Sequence, residues 1–365
     1  MQIRAAVTES KGAPFVTQDI ELGELRSDEL IVKVAAAGIC HTDLIVRDQW
    51  YPVPLPAVLG HEGAGVVETV GSGVTKVTPG DHVAMSFDSC GVCPTCVTGR
   101  PAYCYDFFER NFGSSRPDGS TVLSRNGEAI HSHFFGQSCF ATHAVARERN
   151  IVKLDHDVPL DVVAPFGCGV QTGAGAVLNV LRPHAGTSIA IFGTGTVGLA
   201  AVMAAHVVGC TTIIGVDVNP ARLELAQELG ATHIINAREA DAEQAVKEIA
   251  PPGADFSLET TAAPRVLRQA VDCTAPTATC GLIGAPAFGT EVSLDMNQIL
   301  VSGRTVRGIV EGDSVPDVFL PRLIELWRKG RFPVDRLIRR YDFDQIDEAA
   351  HHAEEGSAVK AVVQM

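Results

Sequence analysis

Hydrophobic and polar positions follow two different rhythms along the chain. Up to about Gly169 the apolar runs are short, β-branched and broken by Gly and Pro. "ELIVKVAAAGIC" and "GAGVVETVG" read as strands, and "KVTPGDHVAM" reads as a turn entering a strand. From about Val170 to Thr305 continuous apolar runs alternate with helical patterns: "SIAIFG" precedes "TVGLAAVMAAHVVG", "TIIGVD" precedes "PARLELAQELG", and "HIINA" precedes "DAEQAVKEIA". "DFSLET" then precedes "APRVLRQAVDC", and "TCGLIGA" closes the series. Apolar strands separated by helices predict a parallel sheet covered on both faces. From about Val306 there is one helical pattern, "VFLPRLIELWRKG", and a final strand, "KAVVQM". This tail is too short for its own core and is predicted to return to the first region. The polar stretch "YDFFERNFGSSRPDGSTVLSRNGEAI" reads as a surface loop anchored by Phe107, Phe108 and Phe112.

Composition narrows this picture. A length of 365 residues suggests two domains. The net charge of −14 argues against a partner that is a nucleic-acid backbone, which requires clustered Lys and Arg. No apolar run reaches membrane-spanning length, and "MQIRAAVTES" has no apolar signal core, so a cytoplasmic protein without a membrane partner is expected. Ten Cys in such a protein are expected to be ligands or buried thiols rather than disulfides.

The junction "IFGTGTVGL" places Gly193, Gly195 and Gly198 in G-x-G-x-x-G spacing between an apolar strand and a helix, and Asp217 ends the next strand. Gly193 makes the tight turn, Gly195 lets the backbone approach a pyrophosphate, and Gly198 allows close packing of helix on strand. The helix N-terminus faces the phosphates. A carboxylate at Asp217 accepts ribose hydroxyls and repels a 2′-phosphate, which favours NAD over NADP.

Two cysteine-bearing patterns carry metal chemistry. "CGVCPTCVTGRPAYC" holds Cys90, Cys93, Cys96 and Cys104 within fifteen residues, enough thiolates to close a tetrahedron around zinc. An iron–sulfur cluster is the rival reading, although the further Cys motifs that usually accompany such a run do not follow. The second pattern is dispersed. In "AGICHTDLIV", Cys40 and His41 are neighbours on an extended segment and face opposite sides, so they are not two ligands of one ion. His61 and Glu62 lie in "VLGHEGAGVVETVGSGV", and Cys168 lies in "PFGCGVQTG". Cys40, His61 and Cys168 form a Cys2His set, which leaves a fourth zinc position open.

With these motifs in this order the chain strongly resembles the medium-chain, zinc-dependent alcohol dehydrogenases over essentially its whole length. The motifs concerned are G-H-E-x2-G-x5-G, the four-Cys lobe, the late Cys168, the Gly fingerprint and Asp217. The resemblance implies an α/β protein with a β-rich, GroES-like catalytic domain over 1–169 and 306–365. A Rossmann coenzyme domain over 170–305 is inserted, with the active site in the cleft between the two. It implies one catalytic and one structural zinc, with Glu62 behind the catalytic metal, Asp43 orienting His61, and Thr42 taking the substrate proton. It places His41 and Lys360 against the NAD pyrophosphate, Thr172 and Val197 near the nicotinamide, and Arg222 near the adenosine ribose. Thr196 and Ile283 complete the implied coenzyme contacts. Zinc as Lewis acid makes an alkoxide accessible, and the nicotinamide takes the hydride.

One position departs from the pattern. Many relatives carry a His five residues after the first ligand Cys, where it ends a proton relay; here that residue is Ile45. The proton is then expected to leave through water or by way of His41. Phe87, and Phe134 with Phe135 in "HFFGQSCFATHAV", match substrate-pocket positions and resemble the aryl (benzyl) alcohol dehydrogenase branch; "WYPVPLP" adds Trp50 or Tyr51 at the rim. An aromatic lining suits a flat ring. The same pocket suits an allylic terpene alcohol such as geraniol. A glutathione-linked formaldehyde dehydrogenase is disfavoured by a Phe-rich stretch with few cations, although Arg110 and Arg116 lie nearby. A non-catalytic dinucleotide sensor has no need for an open zinc position. "VSGRTVRGIVEG" resembles the edge strand that joins subunits in the family, so a homodimer or homotetramer is expected.

Overall fold

The structure, a computed structural model, describes residues 1–365. It divides into two compact units. One contains Met1–Cys168, Val315–Ile324 and Val334–Met365; the other contains Gly169–Ser314 and Glu325–Pro333.

The first unit is built on two sheets. In the five-stranded sheet, Gln2–Thr8 pairs with Ala57–Val58 on one side and Val16–Leu22 on the other, all antiparallel. In the second sheet Glu29–Gly38 is central, pairing antiparallel with Glu62–Val70, His143–Arg147 and Lys360–Gln364. The tail therefore returns as expected, and Ile338–Asp342 adds beside it in parallel. One apolar core, including Val32, Val34, Leu59, Val67, Met85, Phe134, Phe140 and Val363, lies against these strands.

The long polar stretch is more structured than a surface loop. Phe107–Phe112 is a short helix, and Leu123–Arg125 and Glu128–Ile130 form a hairpin that extends the five-stranded sheet through Leu22↔Leu123. The turn is Asn126–Gly127, both with positive φ (53° and 83°). An Asn-Gly pair is the residue choice that a two-residue hairpin turn requires. The signal was present in "SRNGEA" but lay among so many other turn residues that the short flanking strands were masked.

The second unit is a six-stranded, all-parallel sheet. Its spatial order is His233–Asn236, Thr212–Asp217, Ser188–Phe192, Ala254–Glu259, Thr274–Leu282, Thr305–Gly308. Numbered along the chain this order is 3-2-1-4-5-6, the doubly wound arrangement whose strand order reverses beside the first strand. That reversal point is where the Gly fingerprint leaves Phe192. The predicted boundary at 306 is corrected to 315, and Glu325–Pro333, expected in the first unit, also belongs to the second. Thr305–Gly308 pairs with Thr274–Leu282 through Thr279↔Thr305, so the sheet claims it as an edge strand and holds the following turn.

Candidate metal centres and coenzyme site

In the four-Cys lobe the ligand atoms of Cys90, Cys93, Cys96 and Cys104 lie within 4.8 Å of one another. The Cys90–Cys96 and Cys93–Cys104 sulfurs are 3.9 and 4.0 Å apart. A tetrahedron with zinc–sulfur bonds of about 2.3 Å has edges of about 3.8 Å, so the set fits a single zinc ion. Backbone groups aim at the sulfurs, among them Cys93 N–H, which donates to Cys90 Sγ at 3.3 Å, and Cys90 N–H, which donates to Cys104 Sγ at 3.2 Å. All four positions are protein thiols, so nothing is left for substrate.

The dispersed set is assembled by strand register. Glu29–Gly38 and Glu62–Val70 pair with Gly38 opposite Glu62. Cys40, just beyond one strand end, therefore meets His61, just ahead of the other. A Cβ on Gly38 would lie 2.2 Å from a Glu62 oxygen, so any larger residue there would displace the buried Glu62 carboxylate. Cys168 follows the helical turn Ala164–Gly167, and the ligand atoms of Cys40, His61, Glu62 and Cys168 lie within 4.8 Å of one another.

Asp43, fully buried, organises the ligands. Its Oδ1 meets His61 Nδ1 at 2.9 Å and accepts from Gly60 N–H at 3.1 Å, while Oδ2 accepts from Cys40 N–H at 2.9 Å. A carboxylate on Nδ1 turns the lone pair of Nε2 outward, the arrangement typical of a metal-ligating histidine. His61 Nε2 is buried and has no hydrogen-bond partner. Buried polar atoms of this kind call for a ligand. Electrostatics agree. The neighbouring Cys168 thiol, with burial opposing and His61 assisting, holds the Cys40 thiol well below its ordinary pKa. Burial works against charge on His61, yet Asp43 and Cys40 hold its pKa well above the usual imidazole range. The pocket thus favours thiolate and positive charge together, a demand that a divalent cation meets. Two thiols and an imidazole suit zinc, and Glu62, the further carboxylate within 4.8 Å of them, is engaged by Lys360.

Lys360 is a correction. Expected against a coenzyme pyrophosphate, its ammonium is buried and donates to Glu62 Oε2 at 2.8 Å, Glu62 Oε1 at 3.1 Å and the Ile39 carbonyl at 2.9 Å. Its three donors are thereby used. The reason is register: Val362 lies opposite Gly38, which brings Lys360 behind the metal ligands. Burial pushes the Glu62 carboxyl up, and Lys360 opposes that shift.

Thr42 Oγ1 lies 3.7 Å from Cys40 Sγ, and His41 opens the helix His41–Arg47 on the exposed side. Ile45 is buried in the same helix. Phe135 stacks on the His61 ring (centroids 4.5 Å apart, planes at 30°), and Phe134 meets it edge-on at 5.4 Å. Phe87 is also buried, but its ring contact is with Phe107 at 5.9 Å. The structure thus brings two of the three candidate pocket residues onto a metal ligand. Tyr51 packs edge-on against Phe108 and Phe112, and Trp50 is exposed.

In the second unit Gly193 has φ +91°, and a Cβ there would lie 2.4 Å from Thr260 Oγ1. A Cβ on Gly198 would lie 1.8 Å from the Gly193 carbonyl, whereas one on Gly195 would meet nothing within 4 Å. The open face at Gly195 precedes the helix Thr196–Val208, which no side chain caps. This is the cradle that a pyrophosphate needs. Asp217 is more committed than expected. Its Oδ2 accepts from Thr194 N–H (2.6 Å) and Thr194 Oγ1 (2.9 Å), and its Oδ1 from Val218 N–H (2.7 Å) and Asn219 N–H (2.9 Å). These four bonds fill the carboxylate's acceptor capacity. A ribose hydroxyl approaching Asp217 would compete with these donors, of which the Thr194 hydroxyl can rotate away. Arg222 is half-buried with Nε unpartnered. Thr172 and Val197 are neighbours: the helices carrying them cross where a Cβ on Gly173 would lie 1.9 Å from the Val197 carbonyl. Ile283 follows the strand Thr274–Leu282, its N–H bonded to the Glu259 carbonyl at 2.9 Å.

Residues not singled out from the sequence complete the picture. Glu311 Oε2 accepts from Gln171 Nε2 (3.2 Å) and Thr172 Oγ1 (3.4 Å). Gln137 and Ser86 hold the backbone around His61 and Cys168. Nothing in "FFGQSC" or "AMSFD" marks them, since a polar residue in an apolar run signals burial only once its partners are known.

Comparison with known proteins agrees with this geometry. Residues 26–156 match the alcohol dehydrogenase GroES-like domain, and residues 196–327 match the zinc-binding dehydrogenase domain. Geraniol dehydrogenase of Castellaniella defragrans is 46% identical over 362 residues, covering 99% of this chain and 97% of the relative. The crystal structure of benzyl alcohol dehydrogenase from Acinetobacter calcoaceticus superposes with a TM-score of 0.97 at 46% identity, covering 100% of this chain and 99% of that one. A zinc-binding alcohol dehydrogenase structure from Burkholderia ambifaria gives 0.98 at 50% identity, covering 100% and 99%. The chain belongs to the zinc-binding, medium-chain alcohol dehydrogenase family.

Proposed function

We propose that this zinc alcohol dehydrogenase oxidises primary alcohols of the benzyl type to aldehydes, with NAD as hydride acceptor and two zinc ions per chain. The observation that carries the substrate class is the packing of Phe134 and Phe135, both buried, on the ring of His61, which sets two aromatic rings against a metal ligand. Zinc held by Cys40, His61 and Cys168 supplies the Lewis acidity that makes an alkoxide accessible. Asp43 holds His61 in the ligating tautomer. Thr42, beside Cys40, takes the hydroxyl proton and passes it toward solvent; the buried Ile45 is apolar and does not carry it. Bound NAD would accept the hydride from the carbinol C–H bond, so that the alcohol is oxidised as the nicotinamide is reduced. Phe134 and Phe135 exclude water from one side of His61.

A second reading, an allylic terpene alcohol, is favoured by the likeness to geraniol dehydrogenase. Both readings predict a gain from apolar burial. Initial rates of NADH formation with benzyl alcohol, geraniol and ethanol, with zinc content measured in parallel, test them. Burying a ring contributes about 1.5–3 kcal/mol, so kcat/KM for benzyl alcohol should exceed that for ethanol by roughly 10- to 100-fold. A higher value for geraniol selects the second reading, and no turnover with any alcohol overturns both. We also propose a homo-oligomer. Thr305–Gly308 is an exposed edge strand, and Met296, Leu300 and Val301 beside it are largely exposed. An open edge flanked by apolar side chains invites pairing. Light scattering of the purified protein tests this; a monomer at all concentrations overturns it.

A further inference from the structure

The segment His133–Ser138 carries three non-glycine residues in the left-handed region: His133 (φ 65°), Phe135 (φ 51°) and Ser138 (φ 52°). Strained backbone persists only where surrounding contacts over-determine it. Here Ser138 Oγ donates to the Val58 carbonyl at 2.6 Å, and Asn150 Nδ2 donates to the Gly136 carbonyl at 2.9 Å. The central contact is Gln137, 1% exposed. Its Oε1 accepts from Gly63 N–H at 3.1 Å, and its Nε2 donates to the carbonyls of His61 (2.8 Å) and Ser86 (3.1 Å). One amide therefore grips the backbone on both sides of Glu62. Ser86 carries the connection onward, its Oγ donating to the Gly167 carbonyl at 2.7 Å, immediately ahead of Cys168. Gly167 is itself fixed, since a Cβ there would lie 2.1 Å from the Met85 carbonyl.

We propose that Gln137 and Ser86 are positioning residues that set the distance between His61 and Cys168 for the catalytic zinc. Four hydrogen bonds run from Gly63 and His61 through Gln137 to Ser86 and Gly167, joining ligand segments that belong to different elements. Asp43 performs the corresponding task between Cys40 and His61. A zinc site tolerates only a few tenths of an ångström in ligand distance. Holding the backbone carriers of two ligands removes the freedom that an unrestrained loop would have, and the strain in His133–Ser138 is the cost of aiming Gln137 inward. This inference rests on the zinc reading above. Zinc content of the wild type tests that reading, and differences between variants test this one.

The test uses full-length, zinc-loaded enzyme and a chelator, with zinc release followed by a chromogenic dye. Gln137→Met and Ser86→Ala are compared with Val246→Ala, a core truncation in the second unit. Supporting interactions around metal ligands are worth roughly 10- to 100-fold in metal affinity. Gln137→Met should therefore accelerate one release phase about 10- to 100-fold, leave the phase of the four-Cys lobe unchanged, and shift the ligand-field bands of the cobalt-substituted form. Ser86→Ala should move the same phase in the same direction, and it carries the test if Gln137→Met does not fold. Unchanged release, or equal acceleration of both phases as in a generally destabilised Val246→Ala, overturns the proposal.

Discussion

Four sulfurs of one centre come from fifteen consecutive residues, whereas the other centre draws Cys40, His61 and Cys168 from two strand ends and a helical turn. The first closes on itself: its turns place the thiols and its own N–H groups support them. The second has little local means of support. Its His is aimed by Asp43, its Glu62 is neutralised by Lys360 from the far end of the chain, and Gln137 and Ser86 hold its backbone. A local centre is specified by spacing, and a dispersed one by everything that fixes strand register. The first therefore serves stability and can be saturated. In the second, Cys40, His61 and Cys168 are held from outside and Glu62 is engaged by Lys360, so on the reading proposed above a zinc position would be left for substrate.

The contrast breaks most visibly at the ligands. Cys168→Ser should lower turnover by about a thousandfold or more, since Lewis-acid stabilisation is worth several kcal/mol and each 1.36 kcal/mol is tenfold. One zinc should remain bound and thermal stability should hardly change; metal analysis with a kinetic assay checks both. Cys96→Ser should do the reverse. Loss of a metal clip belongs to the large-effect substitutions, roughly 4 kcal/mol, which corresponds to roughly 10 °C in Tm. The variant assayed well below its Tm should keep most of its kcat. If turnover instead falls as far as in Cys168→Ser, the two centres are not separable.

Asp43→Asn sharpens the comparison at smaller scale. It is nearly isosteric but loses the carboxylate that fixes His61, so affinity for the catalytic zinc should fall about 10- to 100-fold. Competition with a chelator measures this, and an unchanged affinity would mean that packing by Phe134 and Phe135 alone aims the ring. Thr194→Val carries the idea to the coenzyme unit. Removing the hydroxyl vacates one acceptor position on Asp217, and a hydrogen bond is worth about 1 kcal/mol net. KM for NAD should then fall roughly fivefold, with NADP unimproved. The smallest change is expected for Ile45→His: a pH profile of hydride transfer shifted by less than about one unit if proton release past Thr42 is slow. An identical profile would show that the route does not pass this position.

Much of the fold was legible in the chain. The parallel sheet followed from continuous apolar runs alternating with helices, because a strand buried on both faces has no polar side to display. The glycine fingerprint and the four-Cys lobe were legible for the same reason: their geometry is set within a few residues. Other features were not. The hairpin at Asn126–Gly127 was hidden by strands of only three residues. The domain boundary moved from 306 to 315 because Thr305–Gly308 reads as strand in either unit, and only pairing assigns it. Lys360 was placed by likeness against a phosphate, and the register of Lys360–Gln364 with Glu29–Gly38 put it on Glu62 instead.

The sequence by itself determined which residues are candidates for the chemistry, since thiols, imidazoles and fingerprint glycines are few and their local spacing constrains them. Only the tertiary structure decided how those residues are held. Gln137, Ser86, Lys360 and Thr194 are ordinary polar residues in the chain, and they acquire roles from the acceptor or donor that folding brings opposite them. A hydrogen bond between distant segments has no local signature, because its partner is fixed by strand register and not by spacing along the chain.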